Sequence, residues 1–201
     1  MMANRHDKFI QPVEGIVLLS RSASEDPGVT AFRELSKPSP VRPAELAEAR
    51  GVAQALLAFL SQPSVRDQIE AAHVVGASSA GVQSILLPEA ARLGFKGEVE
   101  GLFGEHASSK IRPDYFRPVG RSGILLEVER GKTLDNNMDL LDLWKCHICG
   151  AADYLFLVVP KRRPTTKGPS KPIFERVCDR LAPLFSPPNQ TNVEAAFIFG
   201  Y

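Results

Sequence analysis

The sequence predicts a single α/β domain built on a central mixed sheet flanked by helices, and three observations carry that expectation. PAELAEARGVAQALLAFL (43–60) places its apolar residues at helical spacing. YLFLVVP (154–160) is a continuous apolar run of strand length, the pattern of a strand buried on both faces. From residue 78 onward the apparent order is helix, strands, helix, strand, helix, strand, an alternation that builds layered α/β folds. At 201 residues, 44% hydrophobic and 23% charged, the chain has the size and balance of one such domain.

Taken in order, VEGIVLLS (13–20) is apolar and β-branched and reads as a strand. Residues 22–43 are rich in Ser, Pro and Asp and read as a long loop or lid. Pro43 opens the first helix, Pro63 ends it, and SVRDQIEAAH forms a second, short one. SSAGVQSILLPEAARLGF (78–95) is a third helix, with Ser78 or Ser79 as cap, Pro88 as a kink and Gly94 as the stop. GEVEGLFG and RPDYFRP then read as short strands of a meander, with Asp114 at the end of one, and GILLEVERG (123–131) is a clear strand. TLDNNMDLLDLWKCHICGAA has helical periodicity, with Leu140, Leu141 and Trp144 on one side and Trp144 expected in the core. IFERVCDRLAPLF closes the series as a helix and VEAAFIFGY as a last strand. Residues 1–77 thus supply an N-terminal strand and helices, and 78–201 the core of a single domain.

No apolar run reaches the roughly 18 residues that cross a bilayer. The start, MMANRHDKF, lacks the apolar stretch of a secretory signal, and three cysteines do not make a disulfide framework. A reducing, cytoplasmic setting is the expectation. Twenty-four basic residues against 23 acidic give a net charge of +1, which neither demands nor excludes nucleic acid. One basic run stands out, Lys161, Arg162, Arg163, Lys167 and Lys171, interleaved with Pro, Thr and Gly; by itself it is also an ordinary solvated loop.

The chemistry concentrates in IRPDYFRPVGRSGILLEVERGK (111–132). Glu127 and Glu129 are two apart on a strand, so they share a face, and they interrupt a strand that is otherwise apolar (Ile124, Leu125, Leu126, Val128). Like charges at such positions repel unless a cation lies between them. Oxygen donors of this kind suit Mg²⁺ or Mn²⁺, which bind phosphate and lower the pKa of bound water. The other reading of these carboxylates is an exposed edge strand, with Arg121, Arg130 and Lys132 as surface ion-pair partners.

Pro113-Asp114, a short linker, then Glu127-Val128-Glu129 resembles the signature of the PD-(D/E)xK nuclease superfamily, which includes many restriction endonucleases. The resemblance covers roughly residues 78–160 and implies a restriction endonuclease-like core of order αβββαβ. It implies Asp114 and Glu127 as metal ligands, with the Val128 carbonyl a further one and Glu129 either a ligand or a proton acceptor. The family's usual lysine position holds Glu129, as in some restriction enzymes of the superfamily, and the positive charge is then expected from Lys132 or Lys145. Gln83 and Glu89 are the candidates for an outer ligand on the preceding helix. Lys161, Arg162, Arg163 and Lys167, together with Asn136 and Asn137, are the candidate DNA contacts, although capping and turn formation are the ordinary roles of the two asparagines.

Two other signals carry less. Cys146-His147-Ile148-Cys149 lacks the second cysteine pair of a structural zinc site, and its cysteines read as core. The stretch 73–81 has neither the lysine of a phosphate loop nor the second glycine of a nucleophile elbow, so it reads as the approach to a helix. The functional expectation is therefore an Mg²⁺- or Mn²⁺-dependent DNA endonuclease of restriction or defence type, by resemblance a homodimer. The rival is a nucleic-acid-binding or assembly module that keeps the fold without catalysis. A weaker third reading is a hydrolase built on the 76–81 loop.

Overall fold

YLFLVV carries no charged side chain and, apart from the Tyr154 hydroxyl, no polar side-chain atom, so neither of its faces can be left in water without cost. In the computed structural model, which describes residues 30–97, 99–104, 111–130, 132–166, 170–189 and 191–201, this segment is a fully buried central strand. Six strands form one open mixed sheet: β1 (Ala31–Ser36), β2 (Lys96–Gly97), β3 (Tyr115–Val119), β4 (Ser122–Val128), β5 (Tyr154–Val159) and β6 (Ala195–Gly200), in the order β1-β6-β5-β4-β3-β2. β5 runs parallel to β4 and to β6, with Leu126 opposite Phe156 and Phe156 opposite Phe197. β1 is antiparallel to β6, β3 to β4, and β2 to β3.

Among the described residues five helices cover the two faces: α1 (Pro43–Leu60), α2 (Pro63–Ala72), α3 (Ala80–Arg92), α4 (Met138–Ile148) and α5 (Phe174–Leu181), the last continuing into a short 3-10 helix, Ala182–Phe185. Alternation along β4 divides the core between them. Ile124, Leu126 and Val128 pack with α1, α2 and α3, around Phe156, which meets Phe95, Phe197 and Phe199 at ring-centroid distances of 6.0, 5.1 and 5.5 Å. Leu125 lies on the opposite face with Leu155, Leu157 and residues of α4 and α5. By the same alternation Glu127 and Glu129 fall on the α4 side.

The expected helix stop at Gly94 is present: Gly94 has φ +84°, its N–H donates to the Ala91 carbonyl (3.0 Å) and that of Phe95 to Ala90 (2.9 Å), a Schellman closure. Ser79 takes the cap position of α3, but in a helical conformation that leaves its side chain without a capping bond. Pro88 lies within α3.

Three expectations are corrected. Residues 31–36, assigned to the long loop, form edge strand β1; AFRELS is too short to stand out from its Ser/Pro surroundings, and the apolar edge of β6 recruits it. Among the described residues of GEVEGLFG only Gly97 pairs, as the end of Lys96–Gly97, and Gly101, at φ +80°, turns the chain. Asp114 begins rather than ends a strand, standing just before Tyr115 of β3. The expected strand at 13–20 lies outside the described residues.

The fourth correction positions the site. Leu140, Leu141 and Trp144 face outward, 36%, 40% and 45% exposed, while α4 buries Asp139, Asp142, Leu143 and Cys146. The helix is turned so that an acidic stripe, not its larger apolar one, meets the sheet.

Phe156→Ala removes the hub of the aromatic cluster and is expected to lower unfolding stability by about 3–5 kcal/mol, read as a lower urea midpoint at unchanged slope.

Candidate acidic site at the carboxyl ends of the central strands

Because β4, β5 and β6 are parallel, their carboxyl ends reach the same edge of the sheet, where open α/β sheets commonly bind ligands. β3 starts at that edge, so the register of Tyr115 with Leu126 brings Asp114 to the end of β4. The Asp114 carboxylate accepts the Val128 N–H at 2.9 Å, and the Asp114 N–H donates to Glu127 Oε2 at 3.4 Å. Two backbone contacts thus tie the residues of the PD and ExE segments together.

From α4, Lys145 reaches down to the same point. Its Nζ lies 3.1 Å from Glu127 Oε1 and 2.9 Å from Asp142 Oδ1. Glu127 is 2% exposed and Asp142 fully buried. Burial pushes the Glu127 carboxyl up to about 8, with Asp142 adding to the shift and Lys145 opposing it. Glu129, half-buried on the same face, is likewise pushed up to about 8 by burial and by Asp142. Asp142 rises to about 6 for the same reason, restrained by Lys145. Burial works against the Lys145 charge, but Glu127 and Asp142 together outweigh it and hold the ammonium above its usual range. One ammonium neutralises one carboxylate, so the other member of the pair is the group that retains a proton.

The acidic stripe continues one turn back. Asp139, fully buried, pairs with Arg180 of α5 at 3.4 Å, and Arg180 also donates to Asn137 Oδ1 at 2.6 Å. Asn137 holds the left-handed conformation that starts α4, φ +54°. Asp139, Asp142 and Arg180 were not among the site residues expected from the sequence. The spacing of Asp139, Asp142 and Lys145, three residues apart, is a polar stripe on one helical face and was the available signal.

The remaining expected residues divide. Lys132 is exposed, and among the described residues it has no ion pair with these carboxylates. Asn136 is exposed. The Gln83 backbone carbonyl accepts the Tyr115 hydroxyl (3.4 Å), and the Glu89 carboxylate is held by Arg92 at 2.5 and 2.7 Å. Lys161, Arg162 and Arg163 lie in a hairpin-like turn, in which Arg162 bridges Pro172 and the Arg163 N–H donates to the Lys171 carbonyl. Arg163 pairs with Asp135. Lys167 lies outside the described residues. Cys146, Cys149 and Cys178 are free and buried in the α4–α5 core.

A brace joins this turn to the acidic end of β4. The Tyr201 hydroxyl donates to the Glu129 carbonyl at 3.0 Å, and its ring packs edge-on against His73, 5.2 Å between centroids. His73 Nε2 lies 3.0 Å from the Arg162 carbonyl. Arg130 donates to the carbonyls of Val74 and Ala77, fixing the α2–α3 loop that Gly76 (φ +84°) turns.

Among the described residues, no three His, Cys, Asp or Glu side chains converge into a ready-made ion cage; the Lys145 ammonium lies between Glu127 and Asp142. The donor chemistry nonetheless fits a hard cation. It is all oxygen, and among the described residues Asp139 Oδ1 and Asp142 Oδ2 are buried without a hydrogen-bond partner. Among the described residues no helix is long and apolar enough to cross a membrane. No known family model and no curated protein matches the chain.

The raised carboxyls set the pH response of the metal-free protein. A carboxyl with an ordinary value near 4.5 and a folded value of about 8 makes the folded chain bind the extra proton between those limits. Stability is therefore expected to fall as pH rises from about 5 to about 8.5 in EDTA, measured by urea midpoints, and Glu127→Gln to flatten the slope. A midpoint that rises over this range contradicts the assignment.

Proposed function

We propose that the chain is a metal-dependent phosphodiesterase that cleaves DNA, with the restriction endonuclease-like arrangement as its core. The observation that supports this most is the meeting of Asp114, Glu127 and Lys145, from three separate elements, at the carboxyl end of β4. The order α3-β2-β3-β4-α4-β5 agrees with the αβββαβ core that the sequence resemblance implies. Asp114 and Glu127, with the Val128 carbonyl, are the residues that would hold Mg²⁺ or Mn²⁺. When bound, such an ion polarises phosphate oxygens and makes water more acidic.

The chain's own groups supply the rest. Glu129, its carboxyl raised to about 8 by burial, would take a proton from attacking water once it is itself ionised, or join the ligands. Lys145 is preferred over Lys132 for the positive charge on the phosphate, because it alone of the two reaches Glu127. The turn carrying Lys161, Arg162, Arg163 and Lys171 borders the acidic end through His73 and Tyr201, and fits a backbone-gripping role that weakens with salt. Lys167 and the asparagines at 136 and 137 belong to the same proposed interface. A second copy of the chain is the partner that the resemblance adds.

A non-catalytic nucleic-acid-binding module is the second reading. It is favoured by Glu129 at the lysine position and by the engagement of Lys145 with Glu127 and Asp142.

Cleavage of plasmid and linear DNA with Mg²⁺, Mn²⁺ or EDTA separates the two. The expected result is metal-dependent cleavage that Asp114→Ala and Glu127→Ala abolish and Lys145→Met lowers by about 100-fold or more. DNA binding by folded protein with no cleavage under either metal rejects the enzyme.

A further inference from the structure

We infer that Asp142 of α4 is a further carboxylate of the cation site and that the Lys145 ammonium is its built-in stand-in, so that binding the ion and releasing the lysine are one exchange. The inference rests on the phosphodiesterase reading for the class of ion, a hard divalent cation.

The geometry points to this exchange. Glu127 comes from a strand and Asp142 from a helix, yet a single Nζ lies 3.1 Å from one and 2.9 Å from the other. That is the bridging position a cation shared by the two elements would take. Asp142 is fully buried, and its Oδ2 has no hydrogen-bond partner among the described residues. A buried carboxylate with an unused oxygen is costly, and a leucine there would extend the apolar packing of Leu143 and Cys146. The unused oxygen is accounted for if the site is built to give oxygens to an ion. Asp114, beside Glu127, adds a further carboxylate to a cluster that holds one ammonium. A divalent ion takes the place of that ammonium and frees the lysine. Its flexible four-carbon stem then lets the ammonium turn toward a bound phosphate without movement of α4.

Mn²⁺ binding, measured by calorimetry at one fixed pH with no DNA present, tests the exchange on the full chain. Wild type is expected to bind, Glu127→Gln to lose binding, Asp142→Asn to bind about tenfold more weakly, and Lys145→Met about tenfold more tightly. Unchanged affinity in either the Asp142 or the Lys145 variant, while Glu127→Gln still abolishes binding, overturns the exchange and leaves the metal-site reading standing. No binding in wild type or in Lys145→Met overturns both.

Lys145→Met leaves two buried carboxylates unpaired and is the variant at risk of unfolding, so a wild-type measurement accompanies it. The rate of amidination at Lys145, followed by mass spectrometry, should rise several-fold on adding Mg²⁺ as the ammonium is released. A rate indifferent to Mg²⁺ in protein that binds the ion overturns the exchange.

Discussion

A single ammonium held between two buried carboxylates governs how this protein is put together at its acidic edge. Lys145 can meet Glu127 only if α4 lies across β4 with its 139–142–145 stripe inward. That orientation sends Leu140, Leu141 and Trp144 outward and hands the core side of the helix to Asp139, Asp142, Leu143 and Cys146. Removing one partner of such a buried group is commonly costly by about 3–5 kcal/mol. The inward face of α4 thus combines a charged stripe with Leu143 and Cys146, and the Lys145 contacts fix which face that is.

The cost of these buried charges is borne by an unusually apolar frame. β5 and β6 are buried along their whole length, and the Phe156 cluster fixes the sheet on the face opposite the acids. Stiffness on that face lets β3 and β4 present Asp114 and Glu127 in fixed register, with the Val128 N–H as a shared reference point. The Tyr201–His73–Arg162 chain and the Arg130 contacts extend the same rigidity to the basic turn and the α2–α3 loop. An acidic cluster tuned toward neutral pH and a basic turn are in this way set side by side at one edge of the sheet. That pairing, rather than net charge, is what makes phosphate chemistry the best reading of the site.

Much of this was legible in the sequence where residue pattern and environment agree. β4, β5 and β6 declare themselves because apolar runs bounded by turn residues have few alternatives, and α1 because its apolar period is long. Asp114 and Glu127 stand out because charged groups in or beside an apolar strand demand a reason. The misreadings share a cause, since each depended on a partner distant in sequence. AFRELS becomes β1 only because the edge of β6 is there to pair with it. The outward turn of Trp144 follows from Glu127, 17 positions earlier, through the neighbouring Lys145, whose bond spans 18. Asp139 needs Arg180 of α5, which no local window contains. Reading the polar stripe of α4 with the same weight as its apolar one would have found the correct face.

An anomalous difference map from a crystal of the protein containing Mn²⁺ tests the shared cation site at β4 most directly. A peak is expected at the carboxyl end of β4, beside the carboxylates of Asp114 and Glu127 that would hold the ion, with Lys145 Nζ moved away from Glu127. A well-ordered Mn²⁺-containing crystal with no peak there, and Lys145 still bridging Glu127 and Asp142, would contradict that site.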